Sequence, residues 1–499
     1  MAVQSKLTKV TARSGLPAEL QPALATLLRA YGLGWALSSV PTFLGLLIKT
    51  ILALIKGQGP AKVLSLFFNG IQKTLKDSVT KNGLPYVMAG AFGCHRFVAY
   101  LLNRIPYATS WFTKKNIQRI SIFLSAATTM HFVRRSFKAT KTMDLTLLAF
   151  SRALDVLAHR AYVSPIVRKH MPAWLLEHFS VVAFTAVTTE AVWTWMYEPS
   201  RLPRSYSTWI AGVAGVDDRI LQTLRNIRNG TYTYGSAAIA NGAGPIIEVC
   251  KEFGIDPALA DPLHGRFPCS AVHNGLPFGC EVAGLDKFAY VFSKGFPLYF
   301  TVHALPPLLF STKRLKSDPA QGLLQILQGS VMSASFLASL IASIFYIICL
   351  IRTRIGHQLL GIPQKYLDSP WTPFVGCVLS GATIMVESKH RRAEMALYVA
   401  PRALQSFLDR LLEPYKRGRW WEKVGGNTVE TMVFATSLTV ILEALYTNDT
   451  MLRSSVKSLF SWILKDELRE AKAVKEAAQA KEEDKTKAST HISNIPFHG

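Results

Sequence analysis

One stretch of the chain gathers the residue types that hold metal ions. His264, Cys269, His273 and Cys280 lie within seventeen consecutive positions, and imidazole and thiolate are common ligands of zinc in proteins. Their spacing matches no standard zinc finger or zinc knuckle, and glycine and proline interrupt the stretch. Three interpretations are open, namely a metal site, a disulfide and free thiols in a turn, and the irregular spacing favours free thiols.

Two glutamates inside apolar runs form a second group of candidates. Ionising the carboxyl groups of Glu190 and Glu443 inside a bilayer would cost free energy, and acidic residues in such positions commonly mark proton or ion pathways. One hypothesis is a relay at a site in the middle of a membrane. The alternative, which we favour, is that each glutamate forms a buried ion pair with Arg152 or Arg402, or lies near the lipid headgroups.

Clusters of basic residues follow several apolar runs. Residues 386–392 read VESKHRR, which brings Glu387, Lys389, Arg391 and Arg392 together, and a similar basic cluster follows residue 133. Lysine and arginine near a bilayer surface attract anionic lipid headgroups, at about 1 kcal/mol for each charge. We therefore expect the partner of these residues to be a lipid bilayer with anionic headgroups. Nucleic-acid binding would need a basic soluble domain with aromatic platforms, and the sequence delimits none.

No motif in the sequence specifies a reaction. The chain lacks a phosphate-binding P-loop, the glycine fingerprint of dinucleotide-binding domains, the HExxH pattern of zinc hydrolases and the GxSxG pattern of serine hydrolases. We therefore expect a protein that is not an enzyme and that has no cofactor.

Apolar runs of nearly membrane length carry these residues. A helix needs about 20 predominantly apolar residues to cross a bilayer, and residues 330–351 contain no charge, proline or glycine. Weaker candidates are residues 31–47, 84–102, 120–133, 181–197, 289–310, 371–386 and 429–446. Residues 144–159 and 394–412 alternate apolar and charged side chains at helical spacing, which predicts amphipathic helices at the membrane interface.

The two halves of the chain repeat one another in order. LSAATTM at residues 124–130 corresponds to LSGATIM at residues 379–385, a basic cluster follows each, and RAL recurs at residues 152–154 and 402–404. This series indicates an internal repeat, as many membrane proteins have. We therefore predict an all-α membrane protein of two pseudo-repeated helical bundles, each with about four spans, plus interfacial amphipathic helices. The predicted segments are a polar N-terminal segment (1–27), a first membrane repeat (28–210), a polar connector (211–288), a second membrane repeat (289–464) and a charged helical, then disordered, tail (465–499).

Small residues recur four positions apart in several of these runs. Such spacing lets helix backbones approach closely where lipid offers no competing hydrophobic force. We predict close helix packing at Ser121 and Ser125, at Gly376 and Ser380, at Gly32 and Ala36, and at Gly34 and Ser38.

The composition agrees with a membrane protein. Of the 499 residues, 49% are hydrophobic and 18% are charged, whereas about 25% are charged in an average soluble domain. Disordered chains, collagen-like chains and small disulfide scaffolds are excluded. The 56 basic and 32 acidic residues give a net charge of +24, which we interpret as a collar of basic loops facing lipid headgroups.

The second half also resembles a known membrane family. Residues 269–280 read CSAVHNGLPFGC, Phe292, Tyr299 and the run LPPLLF at residues 305–310 follow, and residues 324–336 read LQILQGSVMSASF. With the VESKHRR stretch, which is close to an E-x-K-x-R-R pattern, these motifs resemble the transmembrane protein 135 family. The resemblance covers most of the second half and reaches the first half only through the repeat, because the first half lacks the cysteine pair.

This resemblance implies a location and a broad role. It implies a multi-pass protein of peroxisomal or mitochondrial membranes, linked to fatty-acid and sterol handling and to organelle division, and distantly similar to inner-membrane protein-import channels. We therefore expect an organelle membrane protein that supports lipid metabolism or organelle dynamics without catalysis. The alternative is a channel or carrier for a metabolite, lipid or ion, with Glu190, Glu443 and Arg402 lining one cavity between the repeats. The sequence leaves open whether the chain forms homo- or hetero-oligomers.

Overall fold

The protein is all-helical in its computed structural model. The structure describes residues 20–80, 83–105, 112–137, 142–235, 242–263, 267–276, 279–310, 317–413, 426–447 and 452–469. Within these ranges every regular element is a helix and no β-strand occurs. The predicted all-α class is therefore confirmed.

The helices differ widely in length, from four to 35 residues. In the first part of the chain they are α1 (Gln21–Ile55), α2 (Pro60–Thr80), α3 (Leu84–Met88), α4 (His95–Asn103), α5 (Lys114–Ser136), α6 (Thr142–Val163), α7 (Pro165–His170), α8 (Ala173–Tyr197), α9 (Arg204–Ala214) and α10 (Asp218–Arg228). They continue as α11 (Gly244–Glu252), α12 (Cys269–Val272), α13 (Cys280–Phe310), α14 (Pro319–Leu350), α15 (Gln364–Leu367), α16 (Trp371–Ser380), α17 (Lys389–Leu412), α18 (Gly426–Thr447) and α19 (Ser454–Ile463). Wider π-helical turns join α3 to α4 (Ala89–Gly93) and extend α14 (Ile351–Leu359), and a 3-10 turn extends α16 (Gly381–Val386).

The chain divides into two compact units, and the first is built from both ends of the chain. This split unit comprises residues 1–164 and 419–499. Helix α18 packs against α5 and α6, and its Phe434, Leu438 and Leu442 share one buried cluster with Ile122 and Met130. The apolar faces of α5, α6 and α18 therefore form the core of this unit.

The second unit, the central unit, is continuous in sequence and comprises residues 165–418. Helix α8 packs along α16 and α17, and α13 packs along α14. Phe184 and Trp195 of α8 are buried in one cluster with Phe336 and Ile344 of α14. Large apolar side chains from two long helices, α8 and α14, thus form much of the core of this unit.

The boundaries of the two units differ from those of the predicted repeats. Helix α8 carries the last apolar run of the first predicted repeat but packs with α16 and α17 of the second. Helix α18 carries the last apolar run of the second predicted repeat but packs with α5 and α6 of the first. The last apolar run of each predicted repeat therefore belongs to the unit that holds most helices of the other predicted repeat. The sequence pattern does not show this exchange, because an apolar helix face fits either set of neighbours.

Both predicted polar segments are partly folded. Within the predicted connector, Tyr232, Ile246, Val249 and Phe267 are buried together, so these residues have a hydrophobic core of their own. The predicted tail begins inside the fold, because Glu467 is 4% exposed. The rest of that tail, from residue 470, and the N-terminal segment up to residue 19 lie outside the described residues.

Fewer described helices have the character of membrane spans than the sequence predicts. Three are long and apolar enough to cross a membrane, namely Ala173–Tyr197, Pro319–Leu359 and Asn427–Thr447, and the apolar helix Trp371–Val386 is shorter. The predicted run at residues 330–351 lies within the second of these. The described residues do not confirm the layout of four spans in each half. Residues 84–103, for example, are divided by a π-helical turn and carry His95 and Arg96 in their second part.

Small residues permit close helix contact at most of the predicted positions. A Cβ atom on Gly34 would lie 2.7 Å from the Cα atom of Pro85, and one on Gly376 would lie 2.8 Å from Cγ1 of Ile348. The prediction is wrong for Gly32, where a Cβ atom would have no neighbour within 4 Å. Of the serines at these positions, Ser121, Ser125 and Ser380 are buried, whereas Ser38 is partly exposed.

We predict that Gly34→Ala destabilises the protein and that Gly32→Ala does not. Both glycines lie in α1, where replacing a helical glycine by alanine favours the helix by about 1 kcal/mol. At Gly34 the added methyl group overlaps the backbone of α3, which we expect to cost about 1–3 kcal/mol. The measurement is the thermal unfolding midpoint of the purified protein in detergent. Equal midpoints for the two variants would contradict the close approach of α1 and α3.

Candidate functional site

A groove runs along α8 in the central unit. It encloses about 700 Å³ between α8, α16 and the C-terminal part of α17. Helix α8 ends at Tyr197 because a residue that precedes proline, here Glu198 before Pro199, disfavours helical backbone. The groove is lined by Val181, Val182, Thr185, Ala186, Thr189, Glu190, Trp193, Pro370, Trp371, Phe374, Val378 and Arg410. Most of this lining is apolar, and the charged residues lie towards the C-terminal end of α8.

Glu190 forms an ion pair in this groove. Its Oε2 accepts a hydrogen bond from Nη1 of Arg410 at 2.9 Å, and its Oε1 accepts from the hydroxyls of Ser406 at 2.9 Å and Thr194 at 3.1 Å. Glu190 is thus paired with Arg410, which lies about two helical turns after the predicted partner Arg402 on α17.

A second carboxylate extends this network beyond the end of α8. Arg410, Arg228 and Arg201 donate to Glu198 at 3.0, 2.6 and 2.7 Å. Burial would raise the pKa of Glu198, but the hydrogen bonds from Arg228 and Arg410 outweigh it and hold that pKa below its ordinary value. The ring centre of Trp193 lies 4.8 Å from Cζ of Arg228 and 4.9 Å from Cζ of Arg410. The carboxylate is therefore ionised at neutral pH, and the arginines are held in fixed positions.

One polar atom of the groove lacks a partner among the described residues. Thr189 lines the groove and is 5% exposed, and its Oγ1 is buried without a hydrogen bond. A buried hydroxyl without a hydrogen-bond partner lowers the stability of the folded protein by about 1–3 kcal/mol. The groove thus combines apolar walls with an unpaired hydroxyl, a carboxylate acceptor and a guanidinium donor.

Glu387 belongs to a second buried polar cluster. Its side chain is 1% exposed; Oε1 accepts from Nη1 of Arg391 at 3.1 Å, and Oε2 accepts from the hydroxyl of Ser333 at 3.0 Å. Nη1 of Arg391 also lies 3.1 Å from Nε2 of His303. The cluster joins α13, α14 and α17, and its charges pair with one another. We therefore assign it to the packing of these helices.

The neighbouring basic residues differ in their surroundings. Arg392 donates to the carbonyls of Glu387 and Met385 at 2.9 and 2.8 Å, which satisfies the end of the 3-10 turn that extends α16. Lys389 is exposed. The guanidinium groups of Arg391 and Arg392 bond to the protein while both residues stay partly exposed, and the headgroup-facing cluster stays a prediction.

In the split unit, Glu443 is likewise paired with cations. Arg119 forms a salt bridge with it, and Arg160 adds to the positive field at its carboxylate. The predicted partner Arg152 lies half-buried on α6, and the cations that form salt bridges with Glu443 include Arg119 and Lys115. Glu190 and Glu443 thus lie in different compact units, and each is balanced by arginines of its own unit.

The predicted cysteine and histidine stretch meets a cysteine from a distant helix. The Sγ atoms of Cys269, Cys280 and Cys349 all lie within 4.8 Å of one another, and Nε2 of His273 lies 3.4 Å from Sγ of Cys349. Hydrogen bonds from the thiols of Cys280 and Cys349 hold the pKa of Cys269 below its ordinary value. The fourth predicted residue, His264, lies outside the described residues.

A buried ion pair lies beside these thiols. Nε of Arg352 donates to Oδ1 of Asp368, Nη2 donates to the carbonyl of Phe267 at 2.8 Å, and Nη1 lies 3.7 Å from Sγ of Cys269. The hydroxyl of Tyr234 donates to Oδ2 of Asp368. Burial raises the pKa of Tyr234, and the charge of Asp368 raises it further, so the phenol remains a donor at neutral pH. The pair therefore ties the folded connector to the C-terminal extension of α14.

Sequence reasoning missed three side chains that organise these sites. Cys349 lies within the apolar run at residues 330–351, where a cysteine resembles any other apolar residue. Asp368 lies in a short segment between two runs, where an exposed acid is ordinary. One feature of the sequence points to Arg410: it occupies the position in the second predicted repeat that Arg160 occupies in the first.

Comparison of the chain with protein-family models, with curated proteins and with solved structures finds no match. The function must therefore be argued from the residues of this chain.

We predict that Asp368→Ala strongly destabilises the protein. The side chains of Arg352 and Asp368 are 7% and 1% exposed, and removing one partner of a buried pair costs about 3–5 kcal/mol, because the remaining charge stays buried. The control is Asp218→Ala, since the carboxylate of Asp218 is 85% exposed and exposed pairs contribute about 0–1 kcal/mol. The measurement is the denaturation midpoint of each purified variant. If the denaturation midpoint falls no further for Asp368→Ala than for the control, the ion pair is not needed for the stability of the protein.

Proposed function

We propose that this chain is an integral membrane protein without catalysis of its own, and that the groove on α8 binds the apolar body of a bilayer lipid. The observation that carries the proposal is an apolar groove with a charged pair beside it, on a helix long and apolar enough to cross a membrane. The volume of about 700 Å³ falls within the range of about 300–1,000 Å³ typical of small-molecule sites.

The walls of the groove favour a lipid over a polar metabolite. Val182, Phe374 and Val378 are all more than a third exposed and line the groove. A contiguous apolar surface of this kind marks an interaction site in a protein. In a bilayer, such a groove is in contact with lipid chains, and a bound chain fills the space between α8 and α16.

The polar residues favour a lipid whose polar end is a neutral hydroxyl. A hydroxyl can donate to the carboxylate of Glu190 while it accepts from a donor such as Thr189 or Arg410. An anionic headgroup is disfavoured, because Glu190 lies in the groove and Glu198 continues the network beyond it. Sterols, diacylglycerols and long-chain alcohols share this chemistry.

The ion pairs also support the proposal of an internal repeat. Arg410 and Arg160 hold equivalent positions on α17 and α6. Arg410 forms an ion pair with Glu190, and Arg160 adds to the positive field at Glu443. Two copies of one ancestral helix bundle, with their last helices exchanged, would produce this correspondence.

The cellular setting is part of the proposal. Location in peroxisomes or mitochondria, a role in lipid metabolism or organelle dynamics, and membership of the transmembrane protein 135 family rest on the sequence resemblance. The alternative of a channel or carrier stays a prediction. The ion pairing does not favour it, because Glu190 and Glu443 are each neutralised within their own unit.

We predict that filling the groove prevents lipid binding. The full-length protein in lipid nanodiscs is labelled with a photoactivatable, alkyne-tagged sterol and with a photoactivatable diacylglycerol. Val182→Trp places an indole in the groove, and we expect labelling to fall about tenfold, equivalent to 1.4 kcal/mol of binding free energy.

The matched control for this experiment is Val331→Trp. Val331 and Val182 have similar exposures of 44% and 42%, and Val331 does not line the groove. Labelling of the control variant should equal that of the wild type. Equal labelling of both variants, or adducts mapped by mass spectrometry outside residues 181–193 and 370–378, would refute the proposed site.

We further predict that Thr189→Val weakens the preference for a hydroxyl. Valine keeps the shape of threonine but has no polar atom, so the apolar part of the site is preserved. The measurement is competition between a free sterol and its analogue with hydrogen in place of the hydroxyl, each against the photoactivatable probe. The wild type should prefer the free sterol, and the variant should prefer it less, because the bond to Thr189 is lost while Glu190 still accepts from the hydroxyl. A preference as large in the variant as in the wild type would exclude Thr189 as a group that recognises the hydroxyl.

A further inference from the structure

We propose that Cys269, His273, Cys280 and Cys349 bind one zinc ion. The four residues come from three separate parts of the central unit: α12 and the residue that ends it, the first turn of α13, and the last turn of α14. They offer three sulfur ligands and one nitrogen ligand, which is one of the standard donor sets of structural zinc.

The distances between the three sulfur atoms fit a tetrahedral ion after a small contraction. Zn–S bonds of about 2.3 Å in a tetrahedron place the sulfur atoms about 3.8 Å apart, and Zn–N bonds of about 2.0–2.1 Å place nitrogen slightly closer to sulfur. The three Sγ atoms lie within 4.8 Å of one another. Nε2 of His273 lies 3.4 Å from Sγ of Cys349 but outside the group of mutually close ligand atoms, so the imidazole must move towards the other two thiols to complete the tetrahedron. A cavity of about 20 Å³ adjoins His273, Cys280 and Cys349, which is room for one water-sized particle.

The surroundings suit the charge of such a centre. Three thiolates and one Zn²⁺ ion carry a net charge of −1, and the guanidinium of Arg352 lies 3.7 Å from Sγ of Cys269. Hydrogen bonds to ligating sulfur fix its orientation and tune its affinity for the metal. Asp368 and the carbonyl of Phe267 hold Arg352 in this position. With all four positions filled by protein ligands, the centre is structural rather than catalytic.

A metal explains the cluster better than a disulfide does. A disulfide joins two sulfur atoms at about 2.05 Å, so it would leave one of the three thiols and His273 without a role. The described residues contain three other cysteines, Cys94, Cys250 and Cys377, and none of these belongs to a group of metal-ligating residues. Among the described residues, the convergence of three cysteines, with His273 beside one of them, is thus specific to this one place.

The first test is the zinc content of the full-length protein, purified in detergent and measured by mass spectrometry of the elements. We expect about one zinc ion per chain in the wild type, and less than about a fifth of that in Cys280→Ala and Cys349→Ala. Cys250→Ala is the matched control, because it deletes a buried thiol outside the cluster, and its zinc content should equal that of the wild type. Zinc content unchanged in all three variants, or absent from the wild type, would overturn the proposal.

The second test uses the wild type alone, so that it does not depend on the folding of a variant. Bound zinc should protect Cys269, Cys280 and Cys349 from iodoacetamide, and removal of the metal with a chelator should expose them. Cobalt(II) added to the chelated protein should give the absorption of a tetrahedral cobalt–thiolate centre. If these cysteines become reactive with a reducing agent and not with a chelator, they form a disulfide and the zinc site is refuted.

Discussion

The central unit is organised around a guanidinium and a carboxylate that are buried together. The transfer of two charges out of water costs several kcal/mol for each ion, and their attraction offsets this cost when the remaining donors and acceptors are also satisfied. Asp368 accepts from Arg352 and Tyr234, and Arg352 also donates to the carbonyl of Phe267. These bonds can form together in one arrangement of the connector, α14 and α15. The thiols beside Arg352 are positioned by the same arrangement.

Other buried or partly buried acids among the described residues show the same pairing. Glu190 is paired with Arg410, Glu443 with Arg119, and Glu467 with Arg96. In each case the cation comes from a different helix, so the pair also fixes which helices are neighbours. The net charge of +24 therefore has two components. Some of the basic residues stabilise buried carboxylates, and others are exposed; contact of the exposed ones with lipid headgroups stays a prediction.

The two proposed sites of the central unit differ in how open they are and in the polarity of their residues. The groove on α8 is open and apolar and holds one unsatisfied hydroxyl, which suits a ligand that exchanges with the bilayer. The thiol cluster is enclosed by α12, α13 and α14, which suits an ion that stays bound. A zinc ion there would join the connector to two long helices, whereas lipid binding would depend on the packing of α8, α16 and α17.

The sequence by itself determined the all-α class, the positions of the long apolar helices, the close packing at Gly34, Ser125 and Ser380, and the grouping of Cys269 with His273 and Cys280. These follow from local pattern, because helical periodicity, run length and short spacings are visible along the chain. Only the tertiary structure decided that α8 and α18 exchange units, that Glu190 pairs with Arg410, and that Cys349 joins the thiols. Pairing between distant helices depends on the geometry of many side chains at once, and an apolar or charged residue can satisfy several partners equally well until the packing selects one.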